Sequence, residues 1–491
     1  MNERRTKLYM LAGLWLSLVG VMVAASTLIP LDRTNGAAST ALVYRFAASD
    51  RAVSPAVESS PGRALIVDLD VMQIMLYEDG GLVKTFPVLS KGRGGTPWET
   101  PTGKYVIQKK EIKHYSSIGG TWMPYSMQFY GNFFIHGWPT YPDGRDVPVG
   151  YSGGCIRLST DDVQVVYEFA AKGTKLLVLG ARSPSEFATS SRYYMRGEGV
   201  PPGVTSPSFA VVDIDEDTAL WVRSPDEPRR PSGLVSLLTG LTALETVNQY
   251  KIVRMSELLI GTYTLRKYSI GAVDEMPIGT LIYPLLFDAN DTAARVFARE
   301  HGTTQFVRYM NEKARAIGLT QSEFRGVLSS DEATTTARDL FTLLQYVEKN
   351  KHFLLDVTLA EEQVLTDKKG KERYEWSNKN PWIISGDGEF RGGIVAKNTD
   401  GTENAMVLFS IPLAEFGSRT IAFVILDSKD VVGDVSKLRS FVVTHFTYGI
   451  EPEENNTAYG TSATSTIDRK NKGFIDLEKL FQDELNYERG V

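Results

Sequence analysis

The sequence predicts a multidomain chain: one N-terminal transmembrane helix, a tether, a mainly-β domain, and a further domain beyond a second linker. Three observations carry this. The 491 residues exceed what one domain ordinarily holds, at roughly 150 residues per domain. An almost wholly apolar run from Leu8 to Ala25 follows Arg4, Arg5 and Lys7. That is the length of a membrane span, with positive charge on the side that stays cytoplasmic. From Ala64 onward, short apolar runs broken by Gly and Pro read as strands.

Residues 1–31 form the anchor or signal. Val23-Ala24-Ala25 offers a small-residue cleavage site, but the run is longer than a usual signal core, which favours an uncleaved anchor. Either way the remainder is exported. Residues 32–62, rich in Ala and Ser with scattered prolines, read as a tether. The first domain spans 63–181. It opens with ALIVDLD and QIMLYEDGGLVKTFPVL, where Asp79-Gly80-Gly81 marks a hairpin. Thr100-Pro101-Thr102-Gly103 is a turn leading into a strand over 104–110. Trp122, Met123 and Tyr125 either line a substrate cleft or pack in the core, since aromatics serve both. A helix starts at Ser159 or Thr160, places Val163, Val166, Tyr167 and Ala170 at helical spacing, and ends at Gly173 before a last strand near residue 180. Residues 182–208 are a second linker by composition, 209–450 a second domain, and 451–491 a polar tail expected to be disordered, its IDLEKLFQDEL stretch either a short amphipathic helix or a frayed terminus.

With 53 basic and 59 acidic residues the net charge is −6, and no basic stripe interleaved with aromatics appears, so nucleic acid is not an expected partner. Nothing calls for a metal or cofactor. The single cysteine, Cys155, cannot form an intrachain disulfide, and an unpaired thiol in an exported protein is flagged as reactive. It is framed by glycines in Ser152-Gly153-Gly154-Cys155, downstream of Ile135-His136-Gly137. Thiol acyl transfer needs a thiolate nucleophile, an imidazole to take its proton, and backbone N–H groups for the oxyanion. The glycines let the backbone approach a substrate carbonyl.

His136, Ser152, Gly154, Cys155 and Arg157 together resemble the signature of L,D-transpeptidases of the YkuD type, a histidine followed by Ser-x-Gly-Cys-x-Arg. Many members carry histidine where this chain has Gly153. The resemblance covers roughly residues 63 to 181 and implies that His136 is the base and that the Gly137 carbonyl orients it. It also implies that the N–H groups of Gly154 and Cys155 hold the oxyanion, and that Met123 and Tyr125 line the approach to the thiol. Substrates would be peptidoglycan stem peptides, joined by 3–3 cross-links or attached to another acceptor amine. Ser152 and Arg157 are assigned to substrate binding. Arg157 either steers a stem-peptide carboxylate or braces the loop, because its planar fork suits both.

From Ser208 to about residue 449 the chain resembles D-alanyl-D-alanine carboxypeptidases, the low-molecular-weight penicillin-binding proteins, implying an α/β, β-lactamase-like domain. That family works through Ser-x-x-Lys, Ser-x-Asn and Lys-Thr-Gly. Here Gly233 stands where the nucleophile belongs and Ser236 where lysine belongs, and Ser232 is one position off. The second motif reads Ala289-Asn290-Asp291, or Asp288-Ala289-Asn290 if slipped by one. The third reads Val395-Ala396-Lys397, or Lys397-Asn398-Thr399 out of register. The expectation is a pseudoenzyme domain, because catalysis needs a positioned nucleophile and base.

Two rivals stand beside the transpeptidase reading. A papain-like hydrolase needs cysteine before histidine, and this chain has the reverse order. A non-catalytic wall-binding scaffold would have no need of an ionised Cys155, so slow alkylation at neutral pH would favour it. The expected location is the bacterial cell envelope, with both domains outside the cytoplasm.

Overall fold

The computed structural model describes residues 62–180, 192–196, 202–254, 275–328, 333–366, 372–414, 417–449 and 456–458. The apolar run at Leu8 to Ala25 lies outside them. Among the described residues no helix is long and apolar enough to cross a membrane.

The strands of the first domain build two sheets. One runs β1 (Arg63–Asp68), β2 (Gln73–Glu78), β3 (Gly81–Pro87), β4 (Gly103–Val106) and β9 (Lys175–Leu179), in the order β3-β2-β1-β9-β4. The other holds β5 (Lys109–Ser116), β6 (Thr121–Tyr130), β7 (Phe133–His136) and β8 (Ile156–Arg157), in sequence order. The expected hairpin forms: Asp79 and Gly80 take φ values of 48° and 86°, the left-handed pair that a two-residue turn between twisted strands requires. The strand expected over 104–110 is instead divided, β4 and β5 entering different sheets. Helix α1 (Thr160–Phe169) is capped by Ser159, whose hydroxyl accepts from Asp162 N. Leu65, Val67 and Leu76 of the first sheet meet Met127, Phe129, Ile135 and Ile156 of the second, and Val163 and Val166 of α1 seal that core.

The second domain has three layers. Its central sheet is β12-β11-β19-β18-β17, from β11 (Ser208–Asp213), β12 (Thr218–Arg223), β17 (Phe390–Lys397), β18 (Glu403–Ile411) and β19 (Arg419–Ser428), every pair antiparallel. Along these strands successive side chains face opposite ways. Ala210, Val212, Leu408 and Val424 face one core, with α2 (Val235–Thr246), α3 (Ile282–Asp288), α4 (Asp291–Arg299), α5 (Thr303–Ala316), α6 (Ala337–Asn350) and α7 (Phe353–Leu359). Phe209, Val211, Val407 and Phe423 face another, closed by α9 (Val431–His445) through Val435, Leu438 and Val442. Two-stranded sheets of β13 (Ile252–Arg254) with β14 (Glu275–Pro277) and β15 (Glu362–Thr366) with β16 (Glu372–Ser377), and a one-turn helix α8 (Pro381–Ile384), complete it.

Two expectations are corrected here. Part of the 182–208 linker is a strand, β10 (Tyr193–Arg196), and part of the 451–491 tail is another, β21 (Asn456–Ala458). Together with β20 (Phe446–Tyr448) they form a sheet in the order β20-β10-β21. Tyr193 is fully buried there, and its hydroxyl donates to the Asp213 carboxylate. Composition gave polar, Ser- and Pro-rich surroundings for both segments, while the anchoring is done by one tyrosine. Thr205 and Ser206 are likewise held, donating their N–H groups to Asp434 at 2.8 and 2.9 Å. Residues 182–191 and 197–201 of the linker, and the tail apart from 456–458, lie outside the described residues.

Candidate active site

His136 ends β7 and is 1 % exposed. Its Nδ1 lies 2.6 Å from the carbonyl oxygen of Gly137. A carbonyl only accepts, so Nδ1 carries the hydrogen and the Nε2 lone pair remains to take a proton. Burial pushes the imidazole down to about 3, against the opposing pull of the Gly137 hydrogen bond. Parallel pairing of β7 with β8 sets Ile156 beside Ile135 and Arg157 beside His136. Cys155, one residue earlier, therefore reaches the sheet at the level of Phe134, at the mouth of a loop followed by a two-residue strand and then α1. Cys155 as a residue is only half-buried, but its Sγ sits among packed groups, and burial pushes the thiol up to about 11; a hydrogen bond from the Phe134 backbone and the Arg157 charge act against this. Sγ donates to the Asn132 carbonyl at 3.7 Å, and among the described residues no hydrogen bond joins it to the imidazole. At rest thiol and imidazole are both neutral.

The cysteine loop is closed by Ser152. Its hydroxyl donates to the Cys155 carbonyl at 2.6 Å and accepts the Gly154 N–H at 3.0 Å. In the resting site Ser152, buried, thus braces the loop, and the Gly154 amide is engaged by it. The tight turn follows from Gly154, with φ +105°, where a Cβ would lie 2.2 Å from the Phe133 ring. Thr100 holds the same residue from outside, donating Oγ1 to the Gly154 carbonyl at 2.9 Å and accepting the Gly92 N–H at 2.8 Å.

Met123 and Tyr125 pack. Met123 is 4 % exposed and Tyr125 sits edge-on to Tyr167 of α1, centroids 5.5 Å apart. Neither makes a hydrogen bond or ring contact with Cys155 or His136 among the described residues. Arg157 is half-buried over the Trp138 ring at 5.7 Å, and its buried Nε has no hydrogen-bond partner. Of its two expected uses, bracing by hydrogen bonds is not what the Nε shows. Sequence reading missed Asn132, whose carbonyl faces the thiol; no residue type signals a backbone acceptor.

In the second domain the three motif positions converge. A pocket of about 560 Å³ is lined by Ser232, Gly233, Asp288, Ala289, Asn380 and Lys397. A Cβ on Gly233 would stand 2.8 Å from that of Ala289 and 3.0 Å from that of Ala396. Ser232 Oγ donates to the Lys397 carbonyl at 3.0 Å, Ser236 is buried, and Asn290 caps α4 by accepting from Ala293 N.

Comparison with known proteins gives two family matches along the chain. Residues 62–178 match the L,D-transpeptidase catalytic domain and residues 197–427 match D-alanyl-D-alanine carboxypeptidase. The YkuD protein of Bacillus licheniformis, whose name assigns it provisionally to the L,D-transpeptidases, is 30 % identical over 114 residues, 23 % of this chain. The chain spans 64 % of the length of that relative. Among solved structures, a D-alanyl-D-alanine carboxypeptidase from Mycobacterium tuberculosis is similar at 16 % identity and TM-score 0.44, over 52 % of this chain and 96 % of that one. A variant of the Streptomyces K15 DD-transpeptidase is similar at 17 % identity and TM-score 0.42, over 49 % and 98 %. The chain thus carries two family matches in tandem, to the L,D-transpeptidase catalytic domain over residues 62–178 and to D-alanyl-D-alanine carboxypeptidase over residues 197–427.

Proposed function

We propose that the first domain is a working cysteine-dependent L,D-transpeptidase of the cell envelope, held at the membrane by its N-terminal apolar run, and that the second domain is catalytically inert. The observation that carries the reading is the neutral His136 ring, its Nδ1–H fixed on the Gly137 carbonyl, on the strand next to the lone thiol. On substrate binding the Cys155 proton passes to His136 Nε2 and Sγ attacks the carbonyl carbon of the third stem-peptide residue. The Cys155 N–H holds the oxyanion, and the Gly154 N–H joins it when Ser152 releases it. Collapse breaks the C–N bond to terminal D-alanine, whose amine takes the proton from His136. The side-chain amine of a second stem then attacks the thioester, forming the 3–3 amide bond and returning the proton to sulfur. Arg157, with its buried unpartnered Nε, is the group for a substrate carboxylate.

Because burial holds the resting thiol high, slow alkylation at neutral pH no longer separates an enzyme from a scaffold; acyl transfer does. Purified muropeptides incubated with the protein should give cross-linked product by mass. Cys155→Ala and His136→Ala should each abolish it, and the double variant should be no worse than either single one. A carbapenem should leave one adduct, mapped to Cys155, and none within residues 209–450. Absence of any acyl-enzyme and any product from the wild type would establish the scaffold instead.

A further inference from the structure

The two domains share a buried charged seam beneath the cysteine loop. Glu245, near the end of α2, and Lys313 and Lys351 all have fully buried side chains. Lys313 Nζ lies 2.9 Å from Glu245 and donates to the hydroxyls of Tyr346 at 2.8 Å and Tyr105 at 3.0 Å. Lys351 Nζ lies 3.8 Å from the same carboxylate. Tyr105 belongs to the first domain and the other four residues to the second. Burying such ions costs so much desolvation that they are a poor source of net stability, and their better-attested use is to fix a register.

Both arms of the seam end at the cysteine loop. Lys351 Nζ donates to the Glu99 carbonyl and, at 3.4 Å, to that of Pro97. The next residue, Thr100, is the one that holds the Gly154 carbonyl. On the other arm, Asn132 Nδ2 donates to the Thr246 carbonyl at 2.9 Å, and its N–H reaches the Glu245 carbonyl at 3.5 Å. The carbonyl of that same Asn132 accepts from the Cys155 thiol. A Cβ on Gly131 would lie 2.7 Å from the Glu245 carbonyl, so the β6–β7 turn rests directly on the end of α2. That helix begins just after Gly233, the position of the family's missing nucleophile.

We propose that the carboxypeptidase-family domain, without chemistry of its own, is the platform that positions the transpeptidase cysteine loop, with Lys351 acting through Glu99 and Thr100, and Asn132 acting through the end of α2. The proposal rests on the transpeptidase reading of the first domain. Both are positioning residues, since neither side chain touches the reacting atoms.

The test uses the full-length protein with Lys351→Met, which keeps length and removes charge, and Asn132→Ala, which cuts only the bond to Thr246 in case the first variant folds poorly. Four quantities are read: kcat, KM for the donor peptide, the midpoint of the pH profile of Cys155 alkylation by iodoacetamide, and the thermal midpoint. Each variant should lose about tenfold to a hundredfold in kcat, as small misplacements of a reacting group do, with KM held within about twofold. The alkylation midpoint should fall from about 11 toward the ordinary thiol value as the loosened loop admits water. Alkylation thus speeds while turnover slows, which simple destabilisation does not produce. A lowered thermal midpoint with wild-type kcat and alkylation profile would overturn the platform. Should the wild type itself show no turnover, the transpeptidase reading fails, and the alkylation midpoint alone still supports the platform if it falls and overturns it if it stays.

Discussion

Gly233→Ser returns a hydroxyl to the place where the carboxypeptidase family carries its nucleophile, and the geometry says it should fail twice. The new Cβ would stand 2.8 Å from the Ala289 Cβ and 3.0 Å from the Ala396 Cβ, whereas carbon atoms in contact settle at about 3.5–4.0 Å. Ala396 is fixed in β17 and Ala289 caps α3 in a left-handed conformation, φ 46°, so neither methyl can turn away without moving backbone. Overpacking of this kind costs about 1–3 kcal/mol. For a domain of this size that lowers the thermal midpoint by roughly 2–4 °C per kcal/mol. The hydroxyl would also lack a base, because the lysine position holds Ser236, 1 % exposed within α2. Thermal or urea melts of wild type and variant measure the first effect. Intact mass after incubation with a penicillin, followed by peptide mapping, measures the second. An adduct at position 233 or on Ser232, or unchanged stability, would refute the reasoning.

The His136 ring predicts an acid-sensitive fold. An unfolded chain takes up a proton near the ordinary 6.5, while the buried ring refuses it until about 3. The contribution of this neutral imidazole is therefore complete above pH 6.5 and is lost as pH falls through that window. Its ceiling is about 5 kcal/mol, at about 1.4 kcal/mol per pH unit. Denaturant midpoints of wild type and His136→Gln from pH 7 to 4 should converge as the pH drops; parallel curves would contradict the assignment. Gly153→His, which restores the commoner family residue, should keep kcat within about threefold, since a Cβ there meets nothing within 4 Å. Gly154→Ala, at φ +105° and against the Phe133 ring, should abolish turnover.

What the sequence disclosed was local. Cys155, His136 and the Gly137 carbonyl were legible because they lie in one short signature whose spacing the parallel β7–β8 pair enforces. The Asp79-Gly80 turn and the Ser159 cap were legible because their residue types carry the required backbone geometry. The contact between Ser152 and Gly154 within their loop was not legible, since one hydroxyl can bind the loop's own amide as readily as a ligand's oxygen. Met123 and Tyr125 fit either a cleft or a core on residue type alone; Met123 is buried, and Tyr125 is half-buried against Tyr167. The charged seam was wholly hidden: Tyr105 and Lys313 meet across |i−j| = 208, and a buried lysine reads like a surface one until its neighbours are known.

The strand arrangement β20-β10-β21 has a mechanical consequence. The strand between the two domains is the middle one of that sheet, with antiparallel rungs to the end of the second domain on one side and to the tail on the other. Load carried by that strand passes into the second domain through backbone hydrogen bonds. It meets this small sheet lengthwise, where the rungs on both flanks share the load together instead of unzipping one by one. Such a fastener joins the linker segment to the second domain through backbone rungs that involve none of the groups around the thiol.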